Sequence, residues 1–106
     1  MSSTSTEITE DEFLDAVTAL RVVDPALSPI GAAILAALYF DVASDSRTFS
    51  LKIGVEHALT LREITVLSGS ELKLLHVVSR SERSQRTVFT LTDKGKDIAS
   101  RAFIQK

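Results

Sequence analysis

KLLHVVSRSERSQRTVFTLTDKG, Lys73 to Gly95, is the stretch that decides how this chain folds. Two apolar, β-branched runs, 74–78 and Thr87–Leu91, flank eight wholly polar residues, 79–86, among them Arg80, Arg83 and Arg86. The pattern predicts two antiparallel strands joined by a basic hairpin tip, 73–91 in all. Thr92 ends it. Because Asp93 and a helical pattern follow, the Thr92 hydroxyl can cap a first turn while the carboxylate meets the positive end of the helix dipole. A helix is predicted over 93–105, with Ile98, Ala99, Ala102 and Phe103 as its apolar stripe.

Immediately before the hairpin, a helix is predicted over 55–70. At 100° per residue, Val55, Ala58, Leu59 and Val66 fall on one side and Leu61 and Ile64 roughly opposite, with Glu56, Thr60 and Glu63 between. A helix apolar on two sides is either covered on both or offers one to a partner. Gly54 precedes it, where a turn between two helices needs a residue free of Cβ constraint. A shorter helix carries Phe49 and Ile53 one turn apart on its inner side, and one of the polar residues in 43–46 can cap it.

Further upstream, Ser28-Pro29 is a helix start, with serine as cap and proline at the first helical position. The segment 30–43 is apolar almost all round, with Ile30, Ile34, Leu35, Leu38, Tyr39 and Val42 among alanines, and is expected to be the central buried helix. Thr9 and Glu12 have capping-box spacing and open a helix over Glu10–Val23, with Phe13, Ala16, Val17 and Leu20 on one face. Asp24-Pro25 ends it. That face needs cover from the domain itself or from a second copy. Residues 1–9 are expected to form a disordered tail, so 10–106 makes a single domain with 28–92 as its core.

The segment IGVEHALTLREITVL, Ile53 to Leu67, resembles the turn and recognition helix of MarR-type winged helix-turn-helix regulators, with Gly54, Ala58, Arg62 and Leu67 at the family's places. LTDKG, Leu91 to Gly95, looks like the same family's closing motif, and the resemblance covers roughly residues 28–106. The fold class expected is therefore mainly α with a small antiparallel β-hairpin: a winged helix-turn-helix with extra N- and C-terminal helices. The resemblance implies a homodimer whose terminal helices pack together, through Phe13, Val17, Leu20, Ile98, Ala102 and Phe103. It also implies sequence-specific binding of double-stranded DNA in transcription regulation. Helix 55–70 would lie in the major groove and the wing arginines on phosphates or in the minor groove. Carried over, the groove-facing residues are Glu56, His57, Thr60 and Arg62, and the wing residues Arg80, Arg83, Ser84, Gln85 and Arg86.

The helix departs from the family in opening on Glu56, with Glu63 two turns on. Carboxylates are repelled by phosphate, although a glutamate can accept a hydrogen bond from cytosine N4. Together with the two apolar sides, this departure supports a second reading: a winged-helix adaptor or anti-regulator that binds protein through helix 55–70 and the acidic N-terminal helix and does not bind DNA. Arg62 lies among Val55, Leu59 and Val66, where a snorkelling or salt-bridged role is equally open.

Charge is unevenly spread. Residues 1–30 hold six acids against Arg21 alone, a net of −5, and residues 31–106 hold eleven Lys/Arg against eight Asp/Glu, a net of +3. Since exposed charges are screened beyond about 8 Å, the local sign matters to a polyanion. Without cysteine there is no disulfide framework or thiolate site, and His57 and His76 have no metal-ligand spacing, so no metal or cofactor is expected. No G-x-S-x-G, P-loop or glycine-rich cradle is present, and no enzyme is expected. The longest apolar run, residues 30–40, is shorter than the ~20 residues of a membrane span. The first twelve residues are polar and acidic, unlike a signal peptide, and the expectation is a cytoplasmic protein without a membrane partner.

Overall fold

The computed structural model describes residues 8–103. Among them are five helices and one two-stranded antiparallel sheet: α1 (Glu10–Val23), α2 (Pro29–Tyr39), α3 (Ser46–Ile53), α4 (His57–Ser68), β1 (Leu75–Arg80), β2 (Thr87–Leu91) and α5 (Asp93–Phe103). The expected tail lies outside the described residues except for Ile8 and Thr9. So does the end of the last helix as expected, beyond Phe103.

Helix α2 is the hub. From Gly31 to Ala37 every residue is buried, and four of the seven are alanines. Small side chains let backbones approach closely, so α1, α4, α5 and β2 all pack on this one helix. Ser28 Oγ accepts from the Gly31 N–H at 2.9 Å, with Pro29 at the first position. The helix stops at Tyr39, short of the expected 43. Asp41 takes the left-handed conformation at φ 59°, its N–H donates to the Leu38 carbonyl, and the Val42 N–H donates to the Ala37 carbonyl. This is a Schellman closure with aspartate in glycine's usual place, and the apolar Val42 belongs to the closure rather than to the helix.

The stripes of α1 and α5 are used within the chain. Thr9 and Glu12 form the capping box, at 3.1 and 2.9 Å, and orient α1 across α2 and α5. Leu20, Ile98 and Ala102 are buried there, Phe13 and Val17 pack partly buried on the same core, and Phe103 stacks with Tyr39 and Phe40 at ring separations of 4.7 and 5.0 Å. The six residues assigned to contact with a second copy are thus turned onto their own core. The physical reason is that the two end helices are adjacent in space and cover each other.

β1 and β2 pair from Leu75↔Leu91 to Arg80↔Thr87, with a bulge between Val77 and Ser79 that leaves Val78 exposed. The first strand therefore reaches two residues into the polar run. The other edge of β2 is paired as well: the Phe89 N–H donates to the Ser44 carbonyl at 3.0 Å, and Asp45 bridges Val88. Thr92 then joins strand to helix. Its hydroxyl donates to the Lys73 carbonyl at 2.6 Å and accepts from the Gly95 N–H at 3.0 Å.

Gly95 is buried against the Leu74 backbone, and a Cβ there would collide with the Leu74 carbonyl oxygen. We expect Gly95→Ala to destabilise the domain by about 1–3 kcal/mol, as overpacking against backbone does. Urea denaturation reads this directly, and a change below about 0.5 kcal/mol would contradict so close an approach of α5 to the hairpin.

Candidate functional site

Helices α3 and α4 are joined by a tight turn. Asp45 caps α3, its Oδ1 accepting from the Thr48 N–H at 2.9 Å and its Oδ2 from the Thr48 hydroxyl at 2.8 Å. Gly54 closes the helix in the left-handed conformation, φ 82°, and the Ser50 hydroxyl holds the Val55 carbonyl on the far side of the turn. α4 follows, packed on α3, α2 and β1 through its buried residues Thr60, Ile64 and Leu67.

One hydroxyl ties this turn to the hairpin. Ser46, at the first position of α3, is fully buried. Its Oγ accepts from the Thr87 N–H of β2 at 2.9 Å and lies 2.8 Å from His57 Nε2, at the first position of α4. With the Thr87 N–H already donated to it, Ser46 is satisfied when its own proton goes to Nε2, which leaves the ring proton of a neutral His57 on Nδ1. Burial and the nearby Arg47 charge hold the His57 pKa below its ordinary value of 6.5, against a smaller opposing effect of Asp45. Asp45 itself is pushed up by burial, but the hydrogen bonds from Thr48 and the charge of Arg86 outweigh this and leave it below its ordinary 3.8.

Around that hydroxyl the arginines divide into two groups. Arg47 donates from Nε and Nη2 to the Ser84 carbonyl, at 3.2 and 2.6 Å, and so holds the tip against α3. Arg80 donates to Thr87 Oγ1 across the hairpin at 3.2 Å, and Arg86, half exposed, lies 3.4 Å from Asp45 Oδ1. Arg83 stands at the exposed end of the tip. It and Arg62, exposed on α4, make no hydrogen bond or ion pair to any described residue. Gln85 takes φ 62° to turn the tip, with its amide nitrogen on the Glu82 carbonyl, and the Ser84 hydroxyl accepts from the Arg86 N–H.

The residues assigned to the groove are not all at the surface. Thr60 is fully buried and its hydroxyl donates to the Glu56 carbonyl at 3.2 Å, so it faces the core. His57 is part-buried in its bond to Ser46 and anchors the helix. Glu56 is exposed at the cap position, without a side-chain bond to the helix end. Glu63 points along the flank toward α2, where it accepts from the Ser28 hydroxyl at 2.9 Å. What α4 turns to solvent instead is Ala58, Leu59, Arg62, Thr65 and Val66, a face with one cation and no carboxylate.

Sequence reasoning missed Ser46 and Arg47. The segment 43–46 offers capping residues, and nothing local marks a serine that bonds a strand forty residues on. It also left Leu51, which is 84% exposed on α3, without a role. Among the described residues no group of three or more His, Asp or Glu side chains could hold a metal ion, and no helix is long and apolar enough to cross a membrane. The chain matches no protein-family model, no curated protein and no solved structure with which it was compared.

A histidine whose pKa falls on folding binds a proton more readily when unfolded. Its contribution to stability is complete above the unfolded value of 6.5 and is lost as pH falls through that value toward the lower folded one. We therefore expect stability in urea to drop between about pH 7.5 and 5.5, and His57→Gln to flatten that drop. The lowered Asp45 acts in a separate window, below its ordinary 3.8. An unchanged pH profile in the His57 variant would show that the ring is not held neutral at the α3–α4–β2 junction.

Proposed function

We propose that this chain is a winged helix-turn-helix DNA-binding protein that regulates transcription, with α4 as the groove-reading helix and the β1–β2 hairpin as the wing. The observation that carries this reading is the outward face of α4, free of carboxylates and joined through one buried hydroxyl to a hairpin bearing Arg80, Arg83 and Arg86. An α-helix fits the major groove of a duplex, and guanidinium groups beside it meet phosphates. The element order that the resemblance to MarR-type regulators implies also supports it: two helices about a glycine turn, then the hairpin and a further helix. Of the two glutamates that argue against DNA, Glu63 is engaged by Ser28 on the α2 flank, and Glu56 stays exposed at the cap position, ahead of the outward face.

Binding that neutralises phosphates releases counterions, so affinity falls steeply with salt. In a mobility-shift titration on mixed-sequence duplex DNA, we expect retention at about 50 mM salt that weakens steeply toward 200 mM. Arg83→Ala reduces the log–log slope by about 1, and Arg86→Ala by less because Asp45 shares its charge. A second reading, a protein-binding module of the same architecture, is favoured by the exposure of Leu51 together with Leu59 and Val66. No retention at the lowest salt would select it.

A homodimer belongs to the same proposal, through a different surface from the stripe already consumed inside the chain. The outer side of α1 carries Leu14 and Val22, 55% and 74% exposed, and is available to a second copy. Sedimentation equilibrium at micromolar concentration is expected to give a dimer that Leu14→Glu with Val22→Glu converts to monomer. A monomeric unmodified chain removes the dimer and leaves the DNA surface standing.

A further inference from the structure

The outward face of α4 is unusual for a helix in water. Leu59 is 38% exposed and Val66 49%, and both stand with Ala58 and Thr65 around the single charge of Arg62. Residues 59 and 66 are seven apart, two turns of helix, and so lie almost in line about 10.5 Å from each other. Arg62 lies between them along the same side. Laid along the major groove, two residues this far apart reach different base pairs, with room for one between them.

In the major groove, thymine alone among the four bases presents a methyl group, while guanine presents the O6/N7 pair that suits an arginine. Resting on the DNA-binding reading above, we propose that α4 selects duplex DNA by packing Leu59 and Val66 on thymine methyl groups, with Arg62 on a guanine between them. The target is then a half-site with thymines flanking a guanine. The partner is nucleic acid rather than an apolar protein surface because charge complementarity selects it. Arg62 on this face and Arg83 on the hairpin have no counter-charge among the described residues, and Ser46 binds the first turn of α4 to the first residue of β2. A polyanion supplies what both arginines lack, and an apolar partner leaves them buried without one.

The test separates methyl recognition from DNA binding. The full chain is used to select duplexes from a pool with a randomised core at about 50 mM salt, and the enriched site is resynthesised with deoxyuridine at every thymidine position. This removes the C5-methyl groups and keeps every hydrogen-bonding edge. We expect affinity to fall about fourfold for each methyl group in contact, the burial of one apolar carbon. Leu59→Ala should bring the thymine-to-uracil ratio toward one for the position it contacts, with the thermal midpoint little changed. Should that variant fail to fold, Val66→Ala gives the same comparison. Equal binding of the thymine and uracil duplexes, or a ratio untouched by either variant, overturns the methyl contact while DNA binding stands. If no duplex is retained from the pool, the DNA-binding reading falls and this inference with it.

Discussion

The Ser46 hydroxyl is the contact on which the arrangement of helices and hairpin depends. It is fully buried, and a buried polar group without partners is destabilising by about 1–3 kcal/mol, so the fold must bring donors and acceptors to it. Those partners come from two other elements, the Thr87 backbone of β2 and the His57 ring of α4. A shift of the hairpin by one residue would turn Thr87 and Phe89 to the opposite face and leave Ser46 with half its bonds. Register, helix entry and tip position are therefore determined together.

α2 makes that arrangement possible by being small rather than large. A run of alanines at 32, 33, 36 and 37 lets neighbouring helices lie close, and the bulk of the core comes from what they insert: Leu20, Phe49, Ile64, Leu67 and Phe89, with Ile34 and Leu35 from α2 itself. The glycine of the Leu91–Gly95 motif has the same role at the other end, where α5 rests on the Leu74 carbonyl. The motif's threonine holds the adjacent carbonyl of Lys73. Close backbone approach at both places lets the inner stripes of α1 and α5 pack on the core of their own chain.

What could be read from the sequence was local. The caps at Thr9, Ser28 and Thr92, the proline at 29, the left-handed glycine at 54 and the alternation within Thr87–Leu91 each act within a few residues, and each marks an element that is present. What was not legible depends on distant partners. The end of α2 is not legible because Val42 continues the apolar pattern, whereas an aspartate in a left-handed turn has already reversed the chain. Thr60 is a groove contact only by carry-over from the resemblance, and α4 rotates it inward beside Ile64 and Leu67. Nothing in the run Ser44-Asp45-Ser46 announces that Asp45 makes an isolated bridge to Val88 of β2.

The rotation of α4 also decides the electrostatics of the surface. From sequence alone, Glu56 and Glu63 weigh equally against a polyanionic partner. In the fold the helix buries Thr60, Ile64 and Leu67, which puts residue 63 on the α2 flank, and there its carboxylate accepts from the serine that caps α2. That bond ties the orientation of α4 to the start of α2, so the direction in which Leu59, Arg62 and Val66 face is set by the core and does not depend on what later meets them. On the proposed reading, a surface prepared in this way would bind without the entropic cost of ordering a loop, and its selectivity would rest on which chemical group lies opposite two apolar side chains and one guanidinium.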